Sequence, residues 1–492
     1  MLGSGCAQYD NNRGVEVSWQ DSITQQTDRA YGYGCAGLFT AIENKPCLQI
    51  NWVDPRVMAG DLTPEEIDYL IDEETGVTVY EQMFAEASVS GELFELPAGP
   101  FGFALGAVIR RDEIDDTPGD ITNALVPGGD PNNPDDFVDN GFANNFSSTP
   151  TRGRSTTKEA FAEVNIPLMA DKLLVQNLEV SAAARVTNVS ATAPDGRSDS
   201  SNGNWTYKLT GNWTVTDWLR LRSTYGTSYR APALFEQFLG SQASGARQRN
   251  VDPCVRWQEQ LDDGTITQRI ATNCQADQSF LNGPAGGIPA DHTGAGIQVS
   301  VFTSGGLGVL EPETSTAFTA SMILTPSFDF LPDTDIALTI DYFDITVEGE
   351  ISQLNPYQIV SGCYDAADFP NSPFCSFFER GQDGDINNIR FVNRQFINID
   401  EQSNKGIDFT LRVRQDLGDL GELSFLGQAT LQTKDQIITF GSDAANLTED
   451  EKLNGDVGDP KFTGNMIATW EKGDTTLLYG VTVIGASSSV AD

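Results

Sequence analysis

Basic side chains are scarce in this sequence, and histidine is nearly absent. Among 492 residues there are 30 lysines and arginines, 70 aspartates and glutamates, and one histidine, His292. One histidine leaves no Ser-His-Asp set and makes His292 a poor candidate for a haem ligand. The excess of acid argues against nucleic acid as a partner, because binding phosphate needs a basic surface. We also find no phosphate-binding glycine loop and no distinguishable carboxylate pair, so we predict no enzymatic activity, no metal site and no cofactor.

The sequence also lacks any apolar run of 18 residues, which excludes a transmembrane helix. Its first residues, Met1 to Cys6, have neither the basic nor the apolar segment of a signal peptide. We therefore expect either a cytoplasmic protein or a chain that begins inside a longer one. A membrane location stays open, because a barrel strand hides its apolar face in an alternating pattern.

The spacing of the cysteines favours disulfides over zinc. The chain has seven cysteines, and zinc sites want C-x-x-C spacing and histidine ligands, which are missing here. Disulfides that close local loops in an oxidising compartment fit better, each stabilising by about 3 kcal/mol in the chain-entropy model. The predicted pairs are Cys35–Cys47, Cys254–Cys274 and Cys363–Cys375, with Cys6 left over.

The stretch from Trp218 to Phe238 predicts a long β-strand with two unlike faces. A period of two puts leucines and tyrosines on one side and polar residues on the other. The strand ends at Ala231-Pro232, where proline removes a hydrogen-bond donor. Three arginines on one face favour a barrel with a wet interior over a soluble sandwich. The apolar side holds Leu219, Leu221, Tyr225 and Tyr229; the polar side holds Arg220, Arg222, Thr224, Ser228 and Arg230.

The same period predicts about thirteen strands, with connections that alternate between short turns and long loops. In outer-membrane barrels every second connection lies on the same side, so this sorting predicts an all-β, antiparallel up-and-down transmembrane barrel with long extracellular loops. An odd strand count predicts that the barrel is incomplete, since lipid does not tolerate an open edge. The predicted strands include Ile389–Ile399 and Gly406–Gln415, and the predicted long loops include 112–155, 231–309 and 351–389. Ahead of the strands, Thr63 predicts the capped start of a short helix.

The segment from Tyr225 to Pro232, followed by Leu234 and Glu236, resembles the signature of TonB-dependent receptors. Five further stretches resemble the same family in family order: 91–99 (GELFELPAG), 162–168 (AEVNIPL), 311–315 (EPETS), 341–345 (DYFDI) and 404–408 (NKGID). The matching signature residues are Tyr229, Arg230, Ala231, Pro232 and Glu236. The resemblance implies a 22-stranded barrel in the outer membrane of a Gram-negative bacterium. It also implies a plug domain in the lumen and a TonB box that contacts the TonB–ExbB–ExbD complex.

The chain departs from that pattern at both ends. It shows no plug, no TonB box and no final strand ending in an aromatic residue. We therefore expect residues 1–492 to be a fragment of the barrel domain, with a plug encoded upstream of Met1.

The resemblance implies energised uptake of a scarce nutrient such as an oligosaccharide or a siderophore. A passive porin and a surface-binding or adhesion barrel are the alternatives. Scarce histidine argues against haem. The net charge of −40 either reflects a solvated surface or marks acidic loops that attract cations, and such loops argue against a strongly anionic ferric siderophore. A neutral oligosaccharide or a peptide-like ligand is therefore favoured.

Two groups of residues are candidates for function. The lumenal arginines either dock the plug or steer an anionic ligand, or they form internal salt bridges with carboxylates such as Glu163, Glu179 and Asp408, which is the favoured interpretation. The loop aromatics either stack on a ligand or pack the loops around their disulfides, and both remain open. The arginines are Arg220, Arg222, Arg230, Arg412 and Arg414; the aromatics are Trp257, Tyr357, Phe374, Phe377 and Phe378.

The segment 383–387 resembles the start of a calcium loop. Asn388 and Arg394 stand where such a loop needs glycine and a bidentate glutamate. An Asx-rich turn is therefore predicted.

Overall fold

The structure is a computed structural model that describes residues 53–70, 75–119, 148–277, 287–331, 333–381, 387–439 and 449–488, with 48, 50, 51, 122 and 123. Cys6, Cys35, Cys47 and the calcium-like segment 383–386 lie outside these residues. Among the described residues, two helices precede the first strand: α1 (Pro55–Met58) and α2 (Pro64–Leu70). Thr63 caps α2 as predicted, since its hydroxyl accepts from the Glu66 amide at 3.2 Å and its own amide donates to the Glu66 carboxylate at 2.7 Å.

Seventeen strands follow in the part of the chain that the structure describes. They are β1 (Val77–Leu96), β2 (Gly99–Thr117), β3 (Thr151–Lys172), β4 (Val175–Thr192), β5 (Ser198–Thr216), β6 (Leu219–Arg230), β7 (Gln242–Arg247), β8 (Gln298–Ser304), β9 (Glu313–Leu324), β10 (Thr334–Ser352), β11 (Phe378–Arg380), β12 (Ile389–Gln395), β13 (Ile397–Asp416), β14 (Glu422–Thr439), β15 (Glu449–Lys452), β16 (Phe462–Lys472) and β17 (Thr475–Ile484). Four further helices are α3 (Leu234–Phe238), α4 (Trp257–Asp262), α5 (Gln268–Ala276) and α6 (Pro356–Tyr364). Over these same residues, none of the helices is long and apolar enough to cross a bilayer.

Thirteen of these strands form one antiparallel sheet. Its order is β1-β2-β3-β4-β5-β6-β9-β10-β13-β14-β16-β17, with β15 paired to β14. Among the described residues β1 and β17 do not pair with each other, so the sheet is open, as predicted. Most of its strands exceed the ~9–11 residues that a tilted strand needs to cross a bilayer, β3 having 22.

One predicted barrel strand is wrong. The segment Ile389–Ile399 was expected beside Gly406–Gln415, yet its first part, β12, joins a second sheet. Ile389 and Val392 are fully buried there, and β13 of the large sheet starts only at Ile397. An alternating apolar pattern predicts a strand with one buried face, but it does not predict to which sheet the strand belongs.

In the large sheet, rows of residues that pair across the strands alternate between polar and apolar side chains. Residues paired across antiparallel strands share a face, so each row can be followed through the registers. The polar row runs through Glu179, Asn212, Arg222, Ser321, Asp341, Asp408 and Thr430. The adjacent row runs through Leu178, Trp213, Leu221, Met322, Ile340, Phe409 and Ala429. The predicted two-faced pattern is therefore confirmed across seven strands, and the face with Arg222 is called the polar face below.

The connections alternate between the two ends of the sheet. Short turns occupy 97–98, 173–174, 217–218, 325–333, 417–421 and 473–474, while the other end carries 118–150, 193–197, 231–312, 353–396 and 440–461. Apart from the five residues 193–197, every connection at this second end is long. We call it the long-connection end.

The sequence pattern predicts long loops in the two connections 231–312 and 353–396. In the structure, these connections together build one folded unit. Residues 242–304 and 354–395, called the cap domain here, contain the mixed sheet β11-β12-β8-β7 and helices α4, α5 and α6. Its core includes Val299, Val360 and Val392, each fully buried, and the four cysteines of both disulfides. Apolar residues from two distant segments complete a core that neither segment has alone, which explains why each appeared as a loop in the sequence.

Helix α3 lies on the polar face, at the long-connection end. Leu234 and Phe238 pack with Ile114 and Ala191 of strands β2 and β4. Gly153 of β3 makes room for this contact, because a Cβ placed there would lie 2.3 Å from the Phe238 ring.

Replacing Gly153 with valine should therefore displace α3 and destabilise the protein by about 1–3 kcal/mol, the usual range for overpacking. The matched control is Gly211→Val on β5, where nothing lies within 4 Å of the added Cβ. Urea unfolding of both variants, followed by tryptophan fluorescence, measures the difference. Equal midpoints for the two variants would contradict the packing of Phe238 on Gly153.

Candidate functional site

Arg230, the last residue of β6, links the strand ends from which the two long connections depart. Its guanidinium donates to Glu236 of α3 at 3.0–3.1 Å and to Glu313 of β9, the Nε bond being 2.6 Å. Glu236 also accepts from the Ala233 amide at 2.7 Å, and Glu313 from the Ile351 amide at 2.8 Å. One arginine thus ties together the points where both long connections leave the large sheet.

The predicted salt bridges to Glu163, Glu179 and Asp408 do not form with Arg230. Glu179 accepts from Asn212 at 3.1 Å, and Asp408 accepts from Thr430 at 2.6 Å. Glu313 is 83 positions from Arg230 and meets it only through the register of β6 with β9. Strand register at that distance cannot be read from a local pattern.

The other predicted arginines differ in their surroundings. Arg414 pairs with Glu422 at 2.6 Å. Across the described residues, Arg220, Arg222 and Arg412 have no carboxylate within 4 Å. Contact of these three with a plug or an anionic ligand stays a prediction.

The remaining signature residues shape the exit from β6. Ala231 and Pro232 end the strand, and the Pro232 carbonyl accepts from the Gln237 side chain at 2.6 Å. Tyr229 is half-buried beside them. The signature therefore turns the chain from the sheet into α3.

Four of the five predicted loop aromatics lie in or against the core of the cap domain. Trp257 and Phe378 are 8% and 3% exposed, and the Trp257 indole donates to the Ile288 carbonyl at 2.9 Å. Phe374 and Phe377 pack against that core, and Tyr357 on α6 is half-buried. The disulfides Cys254–Cys274 and Cys363–Cys375 form beside them, as predicted. Ligand stacking by these rings stays a prediction.

A buried polar cluster crosses the cap domain. Arg380 makes two hydrogen bonds to the Asp252 carboxylate, at 2.8 and 2.9 Å, and donates to the Tyr364 hydroxyl at 2.7 Å. Tyr364 in turn donates to Asp277 at 2.5 Å. The side chains of Arg380, Asp252 and Asp277 are fully buried. Arg380 is the positive charge beside both Asp252 and Asp277. Loss of Arg380 would therefore leave two negative charges in the core.

Burial raises the pKa of Tyr364 well above its usual value. The neutral hydroxyl is therefore the folded form, and its contribution to stability is present below pH ~10 and is lost as the pH rises further. We expect Tyr364 to ionise only when the cap domain unfolds, as a late step in tyrosinate absorbance. Tyr364→Phe should remove that step, and its persistence in the variant would contradict the assignment.

An arginine-lined cleft on the cap domain was missed by the sequence analysis. Its volume is about 640 Å³, and its walls include Arg247, Arg249, Arg256, Glu259 and Asp263. Arg256 lies 3.5 Å from Glu259. Three of only 30 basic residues fall between positions 247 and 256, a local signal that the net charge of −40 concealed. Its walls carry three arginines against two carboxylates, a local positive excess, in contrast to the acidity of the whole chain.

A family profile and several known proteins match this chain. The profile of the TonB dependent receptor-like β-barrel matches residues 8–491. The heme/hemopexin utilization protein C of Haemophilus influenzae is 26% identical over 147 residues, which are 29% of this chain and 19% of that protein.

Two solved structures align with lower identity. The ferric enterobactin receptor PfeA of Pseudomonas aeruginosa aligns with a TM-score of 0.48 at 15% identity, over 83% of this chain and 42% of that one. The hemophore receptor HasR of Serratia marcescens, in complex with its hemophore HasA and heme, aligns with 0.47 at 13%, over 84% and 52%. The chain thus spans about half, or less, of the length of these relatives.

Proposed function

Because the chain belongs to the TonB-dependent receptor family, whose β-barrel profile it matches over residues 8–491, we propose that it takes up a scarce nutrient across a Gram-negative outer membrane. Residues 1–492 form barrel sequence of that receptor. The receptor's own plug domain, encoded upstream of Met1, fills the lumen, and the region upstream of Met1 contacts the TonB–ExbB–ExbD complex, as in the family. Membrane lipid covers the apolar rows, and nucleic acid is not a partner.

The folded cap domain is the observation that supports uptake best. It is built from the two longest connections, and Arg230 links β6, α3 and β9 at the end of the sheet from which both connections depart. In outer-membrane barrels the long connections face the outside, so the cap domain stands where a ligand arrives. A rigid, disulfide-bonded unit at that place is suited to capturing a ligand before it enters the lumen.

The arginine-lined cleft supports an anionic ligand over a neutral oligosaccharide. A siderophore chelate with carboxylate or catecholate groups has the charge and size for a cleft of about 640 Å³. Haem, which carries two propionates, is the second candidate, and the match to a heme/hemopexin utilization protein favours it.

Uptake by the full open reading frame in a host without its own siderophore receptors tests the proposal. We expect cells to accumulate a radiolabelled ferric catecholate only when the TonB system is intact. Accumulation without TonB would indicate a passive pore. Surface binding without accumulation in either host would indicate an adhesion or surface-binding protein.

The cleft can be tested in the same cells. Changing Arg247, Arg249 and Arg256 together to alanine should weaken surface binding of the ferric catecholate at least tenfold. Arg390→Ala is the matched control, since this exposed arginine of the cap domain lies outside the cleft and pairs with Glu379 at 3.4 Å. Equal binding by the two variants would show that the cleft does not capture the ligand. It would not contradict the proposal of TonB-dependent uptake.

A further inference from the structure

The turn from Leu453 to Lys461 folds against β14 at the long-connection end. The Leu453 amide donates to the Asp435 carbonyl at 3.0 Å, and the Gln432 amide donates to the Lys461 carbonyl at 2.9 Å. Gly455 and Gly458, both with positive φ, let the turn double back, and the Gly455 amide donates to the Asp459 carbonyl at 2.8 Å. The turn thereby brings Asn454 and Asp459 to the side of Asp435.

Two oxygen atoms at this place are buried without a hydrogen-bond partner among the described residues: Asp435 Oδ1 and Asn454 Oδ1. Asp435 is only 7% exposed. Gln432 fixes the other end of each side chain. Its side-chain amide donates to Asp435 Oδ2 at 2.8 Å, and its backbone carbonyl accepts from Asn454 Nδ2 at 3.2 Å. Gln432 therefore holds both side chains and leaves one acceptor oxygen of each unused.

Two carboxylates, Asp435 and Asp459, share this place with a nearby cation, the Lys461 ammonium, which lies beside Gly455. The Asp459 carboxylate lies close enough to Asp435 to repel it electrostatically. Within the described chain neither carboxylate has a lysine or arginine within 4 Å. A buried carboxylate without a cation or a full set of donors is costly, so the site calls for a positive charge.

We propose that Asp435, Asn454 and Asp459 hold a calcium ion. Calcium accepts carboxylate, amide and backbone oxygens in a flexible shell of six to eight ligands, which suits a turn rich in Asx and glycine. Magnesium needs near-ideal octahedral geometry and fits less well. Among the described residues no three histidine, cysteine or acidic side chains are grouped to hold a metal ion, so the proposed site relies on two carboxylates and one side-chain amide, with further oxygens from backbone or water.

Such an ion would tie the connection between β14 and β16 to the sheet. This role is separate from ligand capture by the cap domain, which is built from other connections. The proposal of nutrient uptake and the proposal of calcium binding can therefore be contradicted separately.

Isothermal titration of the chelator-treated, detergent-solubilised full-length protein with CaCl₂ tests the site, at a salt concentration that suppresses diffuse binding to the acidic surface. We expect saturable binding at this site, weakened at least tenfold by Asp435→Asn and by Asn454→Ala. Asp419→Asn, in the turn at the opposite end of β14, should bind as the wild type does. Asn454→Asp adds a carboxylate ligand and should tighten binding.

Each alternative has a distinct result. Absence of saturable binding, or unchanged affinity in Asp435→Asn, would overturn the proposal. A protonated Asp435 would also overturn it; in that case Asp435→Asn unfolds at the same temperature as the wild type, and calcium shifts neither protein. A gain of affinity in Asn454→Asp cannot arise from misfolding and would support the site even if the other variants fold poorly.

Discussion

Arg380→Met should destabilise the cap domain by about 3–5 kcal/mol, the usual cost of leaving a buried carboxylate without its partner. The Asp252 carboxylate would lose both of its Arg380 hydrogen bonds in a place with no exposure. Asp277 would lose the positive charge of Arg380, 3.9 Å away, and would keep its hydrogen bond from Tyr364. Chymotrypsin digestion of the full-length protein should then cleave within the cap domain while the large sheet stays protected.

The control is Arg390→Ala, which removes an arginine whose pair with Glu379 is more than half exposed. Surface pairs of this kind contribute about 0–1 kcal/mol, so protection should barely change. The variant Arg380→Met with Asp252→Leu and Asp277→Asn removes the arginine and both buried carboxylates, and it should recover much of the loss. If this variant is as unstable as Arg380→Met alone, packing rather than unpaired charge explains the effect.

Removing the Cys254–Cys274 disulfide by substitution with alanine should cost the cap domain about 2–5 kcal/mol. The bond closes a loop of 20 residues around α4 and α5, and both cysteines are fully buried in the core. Removing Cys363–Cys375, which closes 12 residues, should cost a similar amount. Loop length alone separates the two by only about 0.5 kcal/mol.

Hydrogen exchange of the cap-domain amides measures both losses, with the large sheet as the internal reference. Removing both bonds at once should unfold the cap domain at 37 °C, because small disulfide-bonded units often fail to fold without them. Unchanged exchange in the double variant would mean that the shared hydrophobic core suffices without the disulfides.

The sequence by itself determined the local features of this protein. Arg222 and Leu221 lie on opposite faces because a strand alternates side chains whatever surrounds it. Thr63 caps α2 because capping involves residues three positions apart. The cysteines of each described disulfide are 12 and 20 residues apart, so nearby spacing was enough to pair them.

Only the tertiary structure decided which distant segments meet. Arg230 pairs with Glu313 across 83 residues, and Arg380 with Asp252 across 128. The segment Ile389–Ile399 has a strand pattern, yet the cap core decided that its first part leaves the large sheet. The cap domain was not predicted from the sequence, because its core is assembled from two connections that are distant in the chain. Local periodicity fixes the face of a side chain, whereas register and long-range packing fix its partner.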